Sequence, residues 1–151
     1  MNNTKVLITS SLLILGLLLS FFWRNSRAAE LTVNTFGLAD TNVISYATPS
    51  ASNDTFANTG LELINFVNNY SETMYVLITT SIQSSFGDYK EYYTAVSKIP
   101  GKNNKLIGYF NRYRFNNSAG YVVIDYADSQ QNTAVQGQLN SCSVAVIKRT
   151  N

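Results

Sequence analysis

The chain has 151 residues, 45% of them hydrophobic and 13% charged, a length that suits one compact domain and is too short for two independent cores. It contains no histidine, which excludes imidazole general-base catalysis and histidine-ligated metal sites. Its single cysteine, Cys142, excludes an intramolecular disulfide and a thiolate metal cage. We therefore expect a protein that needs no cofactor and is not an enzyme.

The amino terminus carries a nearly charge-free apolar run over residues 6–23, with basic residues on both sides. Such a run, followed by small residues around Ala28, is typical of a signal peptide. A helix over this run would reach about 27 Å, close to the roughly 30 Å hydrocarbon core of a bilayer, so a retained membrane anchor is the alternative. We predict residues 1–28 as this leader and residues 29–151 as one exported or membrane-anchored domain at the cell surface.

Removing the leader removes three basic residues and leaves eight basic against nine acidic residues, a net charge of −1. The remaining basic residues are dispersed, and nucleic-acid affinity depends mainly on a basic surface. We therefore expect no nucleic-acid partner.

From Glu30 onward, short alternating runs are broken by Gly, Asn, Asp and Ser, a pattern typical of strands. The turn formers of residues 100–104 predict a hairpin between two of these strands. Polar residues 39–59 and 128–140 are predicted as irregular connections. The predicted strands are residues 31–36, 61–68, 73–80, 92–99, 105–110, 121–126 and 141–148.

Three of these strands place apolar side chains on a single face, because successive residues of a strand point to opposite sides. Each face must be covered, and without helices the simplest cover is a second sheet, which gives a sandwich or a closed barrel. The sequence therefore predicts an all-β fold after the N-terminal hydrophobic helix, an antiparallel β-sandwich of jelly-roll or Greek-key type. The three faces consist of Met74, Val76 and Ile78; Val122, Ile124 and Tyr126; and Cys142, Val144 and Val146.

Short motifs follow one another through the exported part at residues 29–34, 54–63, 67–69, 99–101, 105–110, 114–116, 120–122 and 144–147. In this order they resemble a family of small β-sandwich proteins from tailed phages, which are capsid decoration or other virion components. The resemblance spans roughly residues 29–149 and implies a non-catalytic virion protein. Two features depart from the family: Tyr109 stands where it often has proline, and the apolar leader is foreign to it.

Tyrosine side chains give the best candidate for a binding surface, because they combine apolar area with a polar tip. The alternative is that strand tyrosines merely straddle core and solvent. A local basic cluster is also predicted, with a solvated hairpin as the alternative. This cluster consists of Lys102, Lys105, Arg112 and Arg114. The predicted contact surface comprises Tyr89, Tyr92, Tyr93, Tyr109, Tyr113, Arg112 and Arg114.

Acidic residues offer weaker candidates. Asp54 with Glu62, or Asp125 with Asp128, could form the carboxylate pair of a glycosidase, but their spacing gives no support, and we expect these side chains to face solvent. Asp88 with Glu91, and Asp125 with Asp128, could supply calcium ligands, yet no repeated Asp-x-Asp pattern is present, so turn chemistry is favoured and no metal is expected. Cys142 is expected to be a buried, unreactive thiol.

These observations predict a structural protein that acts through protein–protein contacts, either in a virion or on a cell surface. Its partners would be further copies of itself or a capsid or surface lattice, with membrane contact through residues 6–23 if the leader is retained. The alternative is a cell-surface module that binds a carbohydrate or a receptor through the same aromatic side chains.

Overall fold

The computed structural model describes residues 28–36, 43–81, 84–86 and 89–149. The predicted N-terminal hydrophobic helix and leader lie outside these residues. Within them are the strands β1 (Ala29–Glu30), β2 (Val33–Phe36), β3 (Asp54–Ala57), β4 (Glu62–Asn68), β5 (Met74–Thr79), β6 (Ser84–Phe86), β7 (Tyr89–Glu91), β8 (Thr94–Ile99), β9 (Asn103–Ile107), β10 (Tyr121–Ala127) and β11 (Cys142–Arg149). Two single-turn helices are α1 (Arg112–Phe115) and α2 (Gln136–Leu139).

The strands form two larger sheets and one hairpin. Sheet I has the order β1-β3-β10-β5-β8, sheet II has the order β2-β11-β4-β9, and β6 pairs with β7. The mostly β prediction is confirmed, but the sheets are mixed rather than purely antiparallel. One N-terminal segment pairs parallel to β3 in sheet I and then parallel to β11 in sheet II. The segment runs in the same direction as β3 and β11. The alternation of apolar and polar residues does not indicate the direction in which strands pair, so the sequence did not predict this parallel pairing.

Both sheets contribute to one apolar core. In β4 and β5 every second residue is buried, as the period-two pattern requires. Phe66 of sheet II stacks on Tyr126 of sheet I with ring centroids 5.6 Å apart, so the two buried faces are in contact. The three predicted apolar faces are confirmed, since all nine of their side chains are buried.

Several predicted details are wrong. Residues 39–59 include β3, whose only large apolar side chain is Phe56, so the strand depends on pairing with β1 and β10 rather than on its own pattern. The predicted hairpin around Pro100 is a connection between sheets, because β8 pairs with β5 and β9 pairs with β4. Residues 128–140 contain α2. The described residues include no helix with the length and apolar character to cross a bilayer.

Gly101 sits where the β8–β9 connection meets the turn after β4. A Cβ at this position would lie 2.1 Å from the Ser71 carbonyl oxygen and 2.5 Å from its carbon, and both are backbone atoms that cannot rotate away. We expect Gly101→Ala to lower the free energy of unfolding by about 2–3 kcal/mol through this overlap. Gly137→Ala is the control, because nothing lies within 4 Å of its added Cβ. Urea titrations of both variants measure the difference, and equal stabilities would contradict the close approach.

Candidate contact surface

The registers of both sheets bring several predicted contact residues to one end of the molecule. Sheet I ends there at Thr80 and Ser81, which follow β5. The Thr80 amide donates to the Tyr93 carbonyl at 2.7 Å, and the Ser81 amide donates to the Arg114 carbonyl at 2.9 Å. The segment before β8 and helix α1 therefore meet at the end of β5. We call this region the tyrosine end and define it by Tyr92, Tyr93, Tyr109, Arg112, Tyr113 and Arg114.

The tyrosines of this region are turned outward. Tyr92 and Tyr93 are 56% and 54% exposed, and Tyr109 and Tyr113 are 66% and 67% exposed. Large exposed aromatic groups are typical of interaction sites, so these tyrosines are candidate contact groups. The side chain of the fifth predicted tyrosine, Tyr89, lies outside the described residues.

The segment that carries Tyr109 and Tyr113 is anchored from below by aromatic packing. Phe110 is buried and contacts Phe56 edge to face, with ring centroids 5.9 Å apart. It also contacts Phe115 at 5.7 Å in the same manner. The exposed tyrosines on either side of Phe110 are thus attached to the core and do not lie on a free loop.

Two asparagines complete this anchorage. The Asn58 side chain is buried and donates to the Phe110 carbonyl at 3.0 Å and to Oδ1 of Asn116 at 2.6 Å. In return, the side-chain amide of Asn116 donates to the backbone carbonyl of Asn58 at 2.8 Å. Because buried amides need such partners, this exchange fixes the β3–β4 connection against the end of α1. Contact groups held this way lose little conformational entropy when a partner binds.

Helix α1 presents a guanidinium group on an aromatic ring. The Arg112 guanidinium carbon lies 4.7 Å from the centroid of the Tyr113 ring, a cation–π distance. The Asn111 side chain caps the helix by accepting from the Tyr113 amide at 2.9 Å. Arg114 is also exposed. This part of the tyrosine end therefore combines aromatic area with positive charge, which suits contacts with acidic or aromatic groups.

An apolar groove of about 360 Å³ adjoins Tyr109 on the outer face of sheet II. Leu63 and Ile147 are register partners on neighbouring strands and form its floor. Leu61 is 54% exposed at its rim. A groove of this size accepts one or two apolar side chains of a partner, the arrangement found at binding hot spots. Its lining consists of Phe36, Ile44, Leu61, Leu63, Tyr109 and Ile147.

Gly108 determines how Tyr109 reaches this groove. Its φ is +139°, and an added Cβ would lie 3.0 Å from the Glu62 carbonyl oxygen and 3.0 Å from a Leu63 methyl carbon. Only glycine combines this conformation with so close an approach. The sequence analysis placed residues 105–110 in a strand and so missed this role, although a glycine between Ile107 and Tyr109 was the available signal.

The predicted basic cluster does not form. Lys102 lies in the β8–β9 connection at the end of the molecule opposite the tyrosine end, while Arg112 and Arg114 follow β9 at the tyrosine end. Lys102 is instead occupied locally, because its ammonium group donates to the Asn69 carbonyl. The four basic residues are close in sequence, but the length of β9 places Lys102 at one end of the molecule and the two arginines at the other.

The expectation that Asp54 and Glu62 face solvent is wrong, since both are buried. Oδ2 of Asp54 accepts the Tyr126 hydroxyl at 2.7 Å and the Ser50 amide at 3.2 Å. Burial raises the pKa of Asp54 above its ordinary 3.8, although these two hydrogen bonds lower it in part. The two acids lie in different sheets with separate partners, so they do not form a carboxylate pair. Asp125 is exposed, as expected.

Glu62 holds the turn beside the groove. Its carboxylate accepts the amides of Thr59, Gly60 and Leu61 at 2.7–3.0 Å and the Thr59 hydroxyl at 2.8 Å. Lys148 lies 3.2 Å away. Burial raises the pKa of Glu62, but the hydrogen bonds from Thr59, Lys148 and Leu61 outweigh it and leave the pKa below its ordinary 4.5. All the donors around this carboxylate belong to the chain itself, so Glu62 acts as a structural anion.

The described residues offer few other side chains that could bind a metal ion or act as a nucleophile. Across residues 28–36, 43–81, 84–86 and 89–149, no three Asp, Glu or Cys side chains gather into a group that could hold a metal ion. Cys142 is buried, and burial raises the pKa of its thiol, so the expectation of an unreactive cysteine agrees with its environment. The exposed groups of the tyrosine end are suited to contact rather than to bond making.

Comparisons with known proteins returned no match, whether to family profiles, to curated proteins or to solved structures.

Proposed function

We propose that this protein is a non-catalytic structural component, in a virion or on a cell surface, that acts through protein–protein contacts made by its tyrosine end. We further propose that its two sheets form a β-sandwich of jelly-roll or Greek-key type. The motif order that resembles phage decoration proteins supports the virion assignment, and the contact between Phe66 and Tyr126 across the core supports the sandwich.

The observation that carries the proposal is the exposure of four tyrosines on an anchored segment and its surroundings. Exposed aromatic side chains cost free energy in water, and a chain that keeps them beside an apolar groove gains by covering them with a partner. The buried acids support a non-catalytic role, because Asp54 and Glu62 bind groups of their own chain. Many copies in a lattice would add avidity to each contact.

We expect Tyr92→Ala with Tyr109→Ala to weaken self-association about tenfold or more without unfolding the domain, since buried tyrosines are frequent hot spots of interfaces. Light scattering at a series of protein concentrations gives the mass of the wild type and the double variant. Val135→Ala is the control, because Val135 is 61% exposed at the N-cap of α2, away from the tyrosine end.

A wild-type mass that rises with concentration, with a smaller rise in the double variant only, supports the proposal. Unchanged association after loss of both tyrosines would refute it. A glycan array with the monomer tests the other class of function, and saturable sugar binding would replace the structural role with that of a carbohydrate-binding module.

A further inference from the structure

The N-terminal strand segment pairs with both larger sheets, and each pairing is parallel. β1 pairs with Asp54 and Thr55 of β3, and β2 pairs with Val146 to Arg149 of β11. Between them, the Leu31 amide donates to the Thr55 carbonyl at 2.7 Å. This one segment therefore closes the same lateral edge of sheet I and of sheet II.

Several side chains hold the segment in place, among them Glu30, which accepts a hydrogen bond from the Tyr121 hydroxyl. Leu31 is 5% exposed and enters the core, and Val33 is half-buried against it. The side-chain amide of Asn34 donates to the backbone carbonyls of Val146 at 2.9 Å and of Ser45 at 3.2 Å, and its Oδ1 accepts the backbone amide of Ser45 at 2.9 Å. Short parallel pairing with one fully buried apolar side chain is typical of regions that open before the rest of a domain.

Two hollows flank the segment where it crosses between the sheets. One of about 90 Å³ lies between Glu30–Thr32 and Val144–Val146, and one of about 460 Å³ lies beside Leu31, Val33 and Ala57. Both hollows open to solvent, so the crossing is more exposed than the β4–β11 centre of sheet II, where the inward side chains are fully buried.

The opposite lateral edge is unsuited to pairing with another chain. It consists of β8 and β9, with Lys98 in the first, Lys105 in the second and Lys102 in their connection, all exposed. Lysines on an edge strand oppose the addition of a further strand, because their charges would have to be brought against it. Backbone pairing between copies is therefore directed to the N-terminal edge.

We propose that the segment formed by residues 29–36 exchanges between copies, so that β1 and β2 of one copy complete the two sheets of a second copy. The occupant must be a second copy of this chain, because the slot is matched to Leu31 and to the register of these residues. Exchange rebuilds the same contacts, so it costs little and is favoured by high protein concentration. This inference rests on the proposed self-association and adds a second contact between copies to the one made by the tyrosine end.

A disulfide pair distinguishes exchange from other association. Glu30 and Thr55 are register partners on neighbouring strands, where the backbone spacing of about 4.8 Å permits a disulfide. Glu30→Cys with Thr55→Cys is oxidised in the full chain at high concentration and run on a denaturing, non-reducing gel, with the linked peptides identified by mass spectrometry. Val67→Cys with Asn104→Cys is the matched control, since these register partners join β4 to β9 away from the tyrosine end, and neither strand exchanges.

We expect the Glu30/Thr55 pair to give covalent dimers or larger species linked between positions 30 and 55, in a fraction that grows with protein concentration. The control pair should give monomers only. Monomers from both pairs would overturn the exchange, as would dimers not linked between positions 30 and 55. If light scattering still shows association in that case, the proposed function stands and the exchange alone is refuted.

Discussion

Asn68→Asp should lower the free energy of unfolding by about 4 kcal/mol, because it removes two buried donors and places a charge against carbonyl oxygens. Asn68 is fully buried at the end of β4. Its amide donates to the carbonyls of Glu72 at 2.8 Å and of Ile99 and Pro100 at 3.1 Å. Its Oδ1 accepts the Tyr70 amide at 3.0 Å. One side chain thus joins the end of a sheet II strand to the end of β8 in sheet I.

Asn104→Asp is the matched control, with the same chemical change at an exposed position in β9, and should alter stability by no more than about 0.5 kcal/mol. Denaturant unfolding of both variants gives the comparison. If the two variants were equally stable, Asn68 would not be the junction between the sheets that its hydrogen bonds describe.

Glu62→Gln should lower the free energy of unfolding by about 2 kcal/mol at neutral pH, because the buried carboxylate loses the charge that backbone amides and the partly exposed Lys148 stabilise. Lys148 would then keep a charge without its carboxylate, and the amides of residues 59–61 would face a neutral acceptor. The exposed Glu72→Gln is the control, and we expect a change of no more than about 0.5 kcal/mol.

The effect of Glu62→Gln should depend on pH in a defined direction. The folded-state pKa of Glu62 lies below its ordinary 4.5, so its contribution is complete above that value and is lost as the pH falls through the folded-state pKa. The difference in free energy of unfolding between the wild type and Glu62→Gln should therefore become smaller at acidic pH. Asp54 acts in the opposite sense, because its pKa is raised and its ionisation disfavours the fold as the pH rises through that pKa. A gap that widens in acid would contradict the assignment for Glu62.

Much of the core could be predicted from the sequence because it follows from local alternation. Met74, Val76 and Ile78 occupy every second position, so a strand buries all three on one face. The parallel pairing of the N-terminal segment could not be predicted, because it depends on which strands lie beside it after folding. The strand β3 was missed for the same reason, since pairing rather than composition defines it.

The burial of several polar side chains was not predicted from the sequence. Acids and amides are mostly exposed, so Glu62, Asn58 and Asn68 were not expected in the interior. Their burial depends on partners far along the chain, such as Lys148 for Glu62 and Phe110 for Asn58. The sequence analysis interpreted asparagine only as a residue that breaks strands, although Asn58 and Asn68 are buried.

The contact surface was predicted in part. All six residues of the tyrosine end were named from the sequence, and the structure places them at one end because Tyr92 precedes β8 and Tyr109 follows β9. The apolar groove was not predicted. Its lining comes from β2, β4, β11 and three connections, and only the registers bring these residues together.

Amide hydrogen exchange, measured by mass spectrometry on concentrated and on dilute wild-type protein, tests the central claim most directly. If the tyrosine end is the association surface, the amides of residues 92–93 and 109–114 should exchange more slowly in the concentrated sample, while those of residues 100–104 should not change. Protection confined to residues 100–104, or none at the tyrosine end of a protein that associates, would contradict the account.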